Sequence, residues 1–125
     1  EVSGLVLFEK GRARVAINQS HHRNRQRFTL AHEIGHVRLH AKDEDRVFVD
    51  KRFFRNEASS KGELREEIEA NAFAASLLMP ERSIRKHIDS DGITDLEVFR
   101  MATKFEVSEQ AMTLRLVRLN LIEPD

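Results

Sequence analysis

The spacing of apolar residues divides the chain into a strand-rich beginning and a helical remainder. Residues 5–8 and 12–18 are rich in apolar and β-branched side chains, and the second run alternates between apolar and polar positions. Residues 9–11 between them suit a turn, so the two runs predict a β-hairpin. Residues 46–54 predict a third strand, and residues 56–62 predict a loop.

A first helix is predicted to follow the polar, basic residues 19–27. We expect one face of it to pack into a core, and this face carries Phe28, Ala31, Ile34 and Gly35. Asn24 or Thr29 can cap its N-terminal end. Glycine costs roughly 1 kcal/mol against alanine in mid-helix, so Gly35 indicates that another backbone passes close by.

A second long helix is predicted over residues 63–79, and Pro80 ends it. We expect its apolar stripe to be buried, and this stripe consists of Leu64, Ile68, Ala72, Ala75 and Met79. Pro80 also suits the first turn of a third helix to residue 88, before a turn at residues 89–92. Thr94 and Glu97 predict a capping box for a helix to about residue 104, and Ser108 can cap a last helix to about residue 120.

The composition excludes several classes of protein. A length of 125 residues indicates one compact domain, and the 21 basic and 21 acidic residues cancel, so nothing favours nucleic acid or an anionic membrane as a partner. The sequence has no cysteine, and it contains neither a signal-peptide pattern nor an apolar stretch long enough to span a membrane. We therefore expect a cytoplasmic protein that has no contact with a membrane. Because no methionine precedes the first strand, we also expect native residues upstream of Glu1. The oligomeric state is not predicted.

The strongest chemical signal is the run from His32 to His36, which has the spacing H-E-x-x-H. Residues four apart share one face of a helix, so His32 and His36 can hold one Zn²⁺ ion. Glu33 then lies beside the remaining coordination position. This arrangement is typical of a metallopeptidase active site.

A catalytic zinc ion usually has three protein ligands, so a third ligand is required. His40 lies one turn beyond His36, but one ion is not easily reached from three successive turns, and we expect His40 to pack or hydrogen-bond at the helix end. The second helix offers four carboxylates, those of Glu63, Glu66, Glu67 and Glu69. Glu67 and Asn71 lie one turn apart, so one could bind metal while the other supports a ligand histidine. Position alone does not distinguish Glu67 from a solvated surface residue.

Three blocks of the sequence resemble the ImmA/IrrE metallopeptidases, a compact branch of the gluzincin-like zincins, and the resemblance covers nearly the whole chain. The blocks are R-Q-R-F-T-L-A-H-E-I-G-H at residues 25–36, E-E-I-E-A-N-A-F-A-A-S-L-L-M-P at 66–80, and K-F-E-V-S-E-Q-A-M at 104–112. The resemblance implies that Glu67 is the third zinc ligand and that Asn71 supports a ligand histidine. In zincins the backbone beside the position of Gly35 commonly belongs to an edge strand.

The resemblance also implies an α+β, minimal zincin-like fold with a small antiparallel sheet, active-site helices and a C-terminal helical subdomain similar to a helix-turn-helix. We expect a single domain, with a catalytic core at residues 1–80 and the subdomain at residues 81–125. The implied function is that of a zinc-dependent endopeptidase that cleaves an Xre-type helix-turn-helix repressor and relieves repression of mobile-element or stress-response genes. Glu33 would be the general base.

An oxyanion stabiliser is also expected, but the chain has no tyrosine. The role is left unassigned among His21, His22, Arg23, Arg55 and His87.

Two other functions stay open. The last two helices could bind DNA or protein, but Glu106 stands where a helix-turn-helix usually has glycine, and residues 80–125 carry nine acidic against seven basic groups. We therefore expect no direct binding of nucleic acid. The other alternative is a regulator that binds metal without turnover, and Glu33 argues against it because a scaffold needs no carboxylate beside an open coordination position.

Overall fold

The computed structural model of the protein describes residues 1–41, 44–51, 61–89 and 91–124. The strands are β1 (Val2–Glu9), β2 (Arg12–Ile17) and β3 (Arg46–Lys51). The helices are α1 (Arg23–Leu39), α2 (Lys61–Leu78), α3 (Glu81–Arg85), α4 (Asp95–Phe105) and α5 (Glu109–Arg118). The predicted α+β class is confirmed. Of the described helices, none has the length and apolar character that crossing a membrane requires.

The sheet has the order β2-β1-β3, and both pairings are antiparallel. Lys10 and Gly11 form the two-residue turn between β1 and β2, with φ angles of 52° and 76°. The predicted hairpin is confirmed, and β3 is the predicted third strand. Residues 52–54 of that prediction lie outside the described residues, as does the predicted loop at 56–60, whereas residues 61 and 62 belong to α2.

The central strand crosses α1 closely at Gly4. A methyl group there would lie 2.6 Å from Thr29 Cγ2 and 2.8 Å from Glu33 Oε2. On the same face of the sheet, Val6 is fully buried and its register partner Phe48 in β3 is also buried. The sheet therefore packs against the face of α1 that carries the H-E-x-x-H residues.

Helices α1 and α2 approach each other at Gly35, where a methyl group would lie 3.2 Å from both Cα and the carbonyl oxygen of Ala70. The predicted close approach is confirmed, but the neighbouring backbone belongs to α2 and not to an edge strand. Ala70 is fully buried, whereas Leu64 and Ile68 are 47% and 51% exposed. The predicted burial is therefore wrong for Leu64, Ile68 and the exposed Ala72, and it is confirmed for Met79. The contact between two helix backbones leaves room only for small side chains.

Polar side chains occupy the buried face of α1, namely those of Thr29, His32, Glu33 and His36. Ile34 is 36% exposed, so its predicted burial is wrong. The side of α1 that faces the core carries these polar residues in place of the predicted apolar stripe. The predicted N-caps are also wrong. His22 caps the helix, because its Nδ1 accepts a hydrogen bond from the backbone N–H of Asn24 at 3.0 Å.

The chain forms two compact units, Glu1–Ala74 and Ala75–Asp125. The second unit contains α3, α4 and α5. The capping box of Thr94 and Glu97 and the cap by Ser108 are confirmed. The predicted third helix ends earlier, at Arg85, and Pro80 is its N-cap residue. The prediction of a single domain with a division at residue 80 stays a prediction.

Two helices of the second unit, α4 and α5, are joined by the short connection expected of the predicted helix-turn-helix. Glu106 at the end of α4 adopts the left-handed conformation, with φ 55° and ψ 49°. This is the conformation that the usual glycine would supply.

Candidate metal centre

Helices α1 and α2 bring three side chains with metal-binding atoms to one point. Nε2 of His32 lies 3.0 Å from Oε1 of Glu67, and Nε2 of His36 lies 2.8 Å from Oε2 of the same carboxylate. The donor atoms of these three residues all lie within 4.8 Å of one another. The structure therefore brings together the three residues that the sequence analysis named as zinc ligands.

Asn71 lies one turn beyond Glu67 and contacts the other nitrogen of His32. Its Oδ1 is 2.7 Å from Nδ1 of His32, and a carbonyl oxygen can only accept, so Nδ1 donates the hydrogen bond. This contact directs Nε2 of His32 towards Glu67, as expected of a residue that supports a ligand histidine.

The pKa shifts in this cluster indicate that positively charged neighbours stabilise the carboxylate of Glu67. Burial raises the pKa of Glu67, but the contacts with His32 and His36 outweigh it and lower the pKa to about 2. Burial also lowers the pKa of His32, yet the hydrogen bond to Glu67 and the charge of Asp50 raise it overall. The site thus favours positive charge between the two helices.

Glu33 is fully buried, and neither of its carboxylate oxygens has a hydrogen-bond partner among the described residues. Burial, followed by the negative charge of Asp50, raises its pKa to about 8. A buried carboxylate without partners is costly, and native proteins rarely contain one unless a ligand or ion accounts for it.

The residues present fit a zinc ion. Two imidazoles and one carboxylate are the donor set of one class of catalytic zinc site. Nε2 of His36 is also fully buried and, within the described part of the chain, it has no aligned hydrogen bond despite its contact with Glu67. A cation between the three donor groups would satisfy this nitrogen and would balance the charges of Glu67 and Glu33.

His40 hydrogen-bonds at the end of α1, as predicted, but its partners were missed by the sequence analysis. Nδ1 of His40 lies 2.9 Å from Nδ1 of His36, and its Nε2 lies 2.8 Å from Oε1 of Glu69. The four-residue spacing of the histidines was a usable signal for the first contact. The second contact depends on the packing of α2 against α1.

Strand β3 supplies a wall of the site that the sequence analysis also missed. Phe48 stacks on the ring of His36, with centroids 4.3 Å apart and an interplanar angle of 14°. Arg46 lies over Phe48 and forms a bidentate pair with Glu66, at 2.8 and 2.9 Å. Glu66 is thus part of a salt bridge that ties β3 to α2.

Asp50 on the same strand is a further acidic group beside the site. Its Oδ2 lies 3.7 Å from Nε2 of His32, and its side chain is 21% exposed. Burial raises its pKa, although the charge of His32 opposes this effect. Asp50 also groups with His32 and Glu33 as a second set of potential metal-binding atoms.

The three histidine candidates for the oxyanion stabiliser have other contacts, and Arg23 also has an interaction of its own. His21 pairs with Glu1, His22 caps α1, and a ring nitrogen of His87 bonds to the carbonyl of Ser83. Arg55 lies outside the described residues. The role stays unassigned.

Comparisons with known proteins match most of the chain. The family model Peptidase_M78, the IrrE N-terminal-like domain, matches residues 2–117. The radiation response metalloprotease IrrE of Deinococcus radiodurans is 35% identical over 96 residues, which are 75% of this chain and 27% of that protein. The "Uncharacterized immunity region protein 2" of Bacillus phage phi105 is 24% identical over 95 residues, 76% of this chain and 56% of the phage protein. The matched region thus spans about a quarter and about half of these two relatives.

Proposed function

The chain belongs to the Peptidase_M78 family of IrrE N-terminal-like domains, and from this premise we propose that it is a zinc-dependent endopeptidase. In this proposal His32, His36 and Glu67 hold the ion, and Glu33 is the general base. The observation that carries the proposal is the fully buried carboxylate of Glu33, which has no hydrogen-bond partner among the described residues and lies next to three convergent metal-binding groups.

The ion, when bound, would lower the pKa of a water molecule and polarise the carbonyl group of the scissile peptide bond. Glu33 takes up the water proton at its carboxylate and delivers it to the nitrogen of the leaving amine. Burial and the charge of Asp50 raise its pKa to about 8 when no cation is present. A cation beside the carboxylate lowers that pKa and so favours the ionised form, which is the form that accepts the proton.

The two ligand histidines must present Nε2 to the ion. For His32, Asn71 accepts the hydrogen bond from Nδ1–H and so selects the tautomer with a lone pair at Nε2. For His36, stacking on Phe48 restricts the ring. Preformed ligands of this kind reduce the cost of ordering the site when metal binds.

The geometry favours a protein segment in extended conformation as the substrate. Within the described sheet, β3 lies at an edge and pairs only with β1, while its residues Phe48 and Asp50 contact the site. An extended peptide can add to such an edge through main-chain hydrogen bonds.

The proposed substrate is an Xre-type helix-turn-helix repressor, whose cleavage would relieve repression of mobile-element or stress-response genes. The names of two relatives support this choice. The phage relative is named as an immunity region protein, and the bacterial relative is named as a radiation response metalloprotease.

The test measures bound zinc and cleavage on the same samples, with purified Xre-type repressors from the same genome as probes. Glu67→Ala should lose zinc on mild dialysis, whereas Glu33→Gln should keep about one zinc per chain and lose cleavage. Glu9→Gln, a change of an exposed glutamate at the end of β1, is the matched control and should retain both.

Normal cleavage by Glu33→Gln would remove the general-base assignment. A native chain that takes up no zinc when zinc is supplied would remove the metal site. Zinc binding without cleavage of any repressor would favour the alternative, a metal-dependent binding module.

A further inference from the structure

We propose that His40 and Glu69 form a relay that positions the ligand histidine His36, so that the two zinc-binding histidines of this chain are held by different means. The inference rests on the proposed function and deepens it. It assigns a role to two residues that do not touch the ion.

The relay begins with three buried histidines at four-residue intervals along α1: His32, His36 and His40. Nδ1 of His36 lies 2.9 Å from Nδ1 of His40, and their ring centroids are 5.1 Å apart. Nε2 of His40 lies 2.8 Å from Oε1 of Glu69 on α2. A continuous hydrogen-bonded path therefore runs from Glu69 to His36.

The chemistry of the end group fixes the direction of every hydrogen bond in this path. A carboxylate can only accept, so Nε2 of His40 carries a proton and donates it to Glu69. The neutral ring of His40 then has its lone pair at Nδ1, which accepts from Nδ1–H of His36. When an ion is bound, His36 presents its lone pair at Nε2 to the ion; without an ion, Nε2–H of His36 donates to Oε2 of Glu67, which is 2.8 Å away and can only accept. Each hydrogen bond selects the tautomer that metal binding requires.

Both nitrogens of His40 are engaged in this arrangement, by His36 and by Glu69. His40 is therefore a positioning residue for His36 and not a further ligand of the same ion.

The support of His32 differs in kind, because its Nδ1 donates to the neutral amide oxygen of Asn71. The path from His36 ends on a negatively charged carboxylate. Acidic outer partners increase the electron density of a ligand imidazole more than amides do, so His36 is expected to be the stronger donor of the pair.

The first readout is the protonation of the His36 and His40 rings in zinc-loaded, ¹⁵N-labelled protein, from long-range ¹H–¹⁵N NMR spectra. The native chain should show His40 protonated at Nε2 only, with its Nδ1 accepting a hydrogen bond from Nδ1–H of His36. Glu69→Leu should abolish this pattern, because it removes the terminal acceptor. Glu69→Gln should restore it, because the amide oxygen can accept from His40.

The second readout is zinc affinity, measured by competition with a chelator and without any substrate. Glu69→Leu should weaken binding by about 10- to 100-fold, and Glu69→Gln should recover part of the loss. Glu9→Leu, a change of an exposed glutamate on β1, is the matched control and should leave the affinity unchanged. Urea unfolding in EDTA checks that all variants fold, which is expected because the side chain of Glu69 is half-exposed.

Unchanged ¹⁵N signals of the His36–His40 hydrogen bond and unchanged zinc affinity in Glu69→Leu would overturn the relay. An equal loss in Glu69→Gln and Glu69→Leu, without recovery of the tautomer, would also overturn it, because the hydrogen bond would then not be the cause. Both readouts are independent of catalysis. A confirmed relay in a chain that cleaves nothing would leave this inference standing while the endopeptidase proposal fails.

Discussion

The contact of α1 with α2 makes Gly35→Ala a direct probe of the geometry of the site. In an exposed helix this change stabilises by roughly 1 kcal/mol, because alanine is the better helix former. Here the added methyl group would lie 3.2 Å from Cα and the carbonyl oxygen of Ala70, and 3.2 Å from Cβ of Phe73. These distances are shorter than the optimum of about 3.5–4.0 Å for non-bonded carbon atoms.

Two of the three contacts are with backbone atoms, so no side chain can rotate away, and α2 itself must move by a few tenths of an ångström. Overpacking of this kind costs about 1–3 kcal/mol, which cancels or exceeds the gain in helix propensity. We therefore expect a loss of about 0–2 kcal/mol in the free energy of unfolding of the metal-free protein.

The effect on metal binding should be larger than the effect on folding. Ala70 lies between Glu67 and Asn71 on α2, so a shift of the helix moves a proposed ligand and the support of His32 together. Metal–ligand distances tolerate deviations of about 0.2 Å, so we expect the zinc affinity of Gly35→Ala to fall by about tenfold or more.

Urea unfolding in EDTA and zinc titration against a chelator measure the two quantities. Gly62→Ala is the matched control, because Gly62 is also helical and a methyl group there meets no described atom within 4 Å. It should be neutral or stabilising by up to about 1 kcal/mol, with unchanged zinc affinity. The same behaviour from Gly35→Ala would refute the reasoning.

Three further predictions concern the sheet and Glu33. Gly4→Ala should retain zinc but slow repressor cleavage by about tenfold or more. The added methyl group would lie 2.8 Å from Glu33 Oε2 and would displace the proposed general base. An unchanged cleavage rate would contradict this prediction. In EDTA, Glu33 has a pKa of about 8 in the folded protein and of about 4.5 in the unfolded chain. The folded state therefore binds one more proton than the unfolded state between these pH values, and its stability falls as the pH rises. The free energy of unfolding should therefore fall between pH 5 and 8 by up to about 1.4 kcal/mol per pH unit more steeply than in Glu33→Gln, and parallel urea-denaturation curves would count against the raised pKa. Arg46→Lys should lower the free energy of unfolding by about 1 kcal/mol or less, because the pair with Glu66 is partly exposed and lysine cannot replace its two hydrogen bonds; a double-mutant cycle with Glu66→Gln measures the coupling, and a value of zero would contradict the bidentate pair.

Elements whose determinants lie close together in the sequence could be predicted. The capping box of Thr94 and Glu97 spans four residues, and the hairpin turn at Lys10 and Gly11 depends on two. The N-cap of α1 could not be predicted in this way. His22 performs this role with a ring nitrogen, although the preferred cap residues carry an oxygen.

Burial on the helices was harder to predict because it depends on the neighbouring element. The period of 3.6 residues places Leu64 and Ile68 on one stripe, but it does not show which face of α2 meets α1. That choice follows from Gly35 and Ala70, whose small size permits the closest approach of the two backbones.

The same distinction applies to the candidate site. His32 and His36 follow from a local spacing, whereas Glu67 required the resemblance to a family, because nothing local separates it from a surface glutamate. Asp50 became evident only when β3 was seen to lie beside α1. The roles of these residues in metal binding and catalysis stay predictions.

The placement of the metal-binding atoms on α1 and α2 also has a consequence for chain topology. His32 and Glu67 are 35 residues apart in the sequence, so an ion held by both would act as a reversible cross-link in a chain that has no cysteine for a covalent one. An ion that binds only the native state stabilises it by about 4 kcal/mol when its free concentration is a thousand times the dissociation constant. Zinc scarcity would then act on the lifetime of the folded protein as well as on its chemistry, and proteolytic turnover would remove the metal-free chains first.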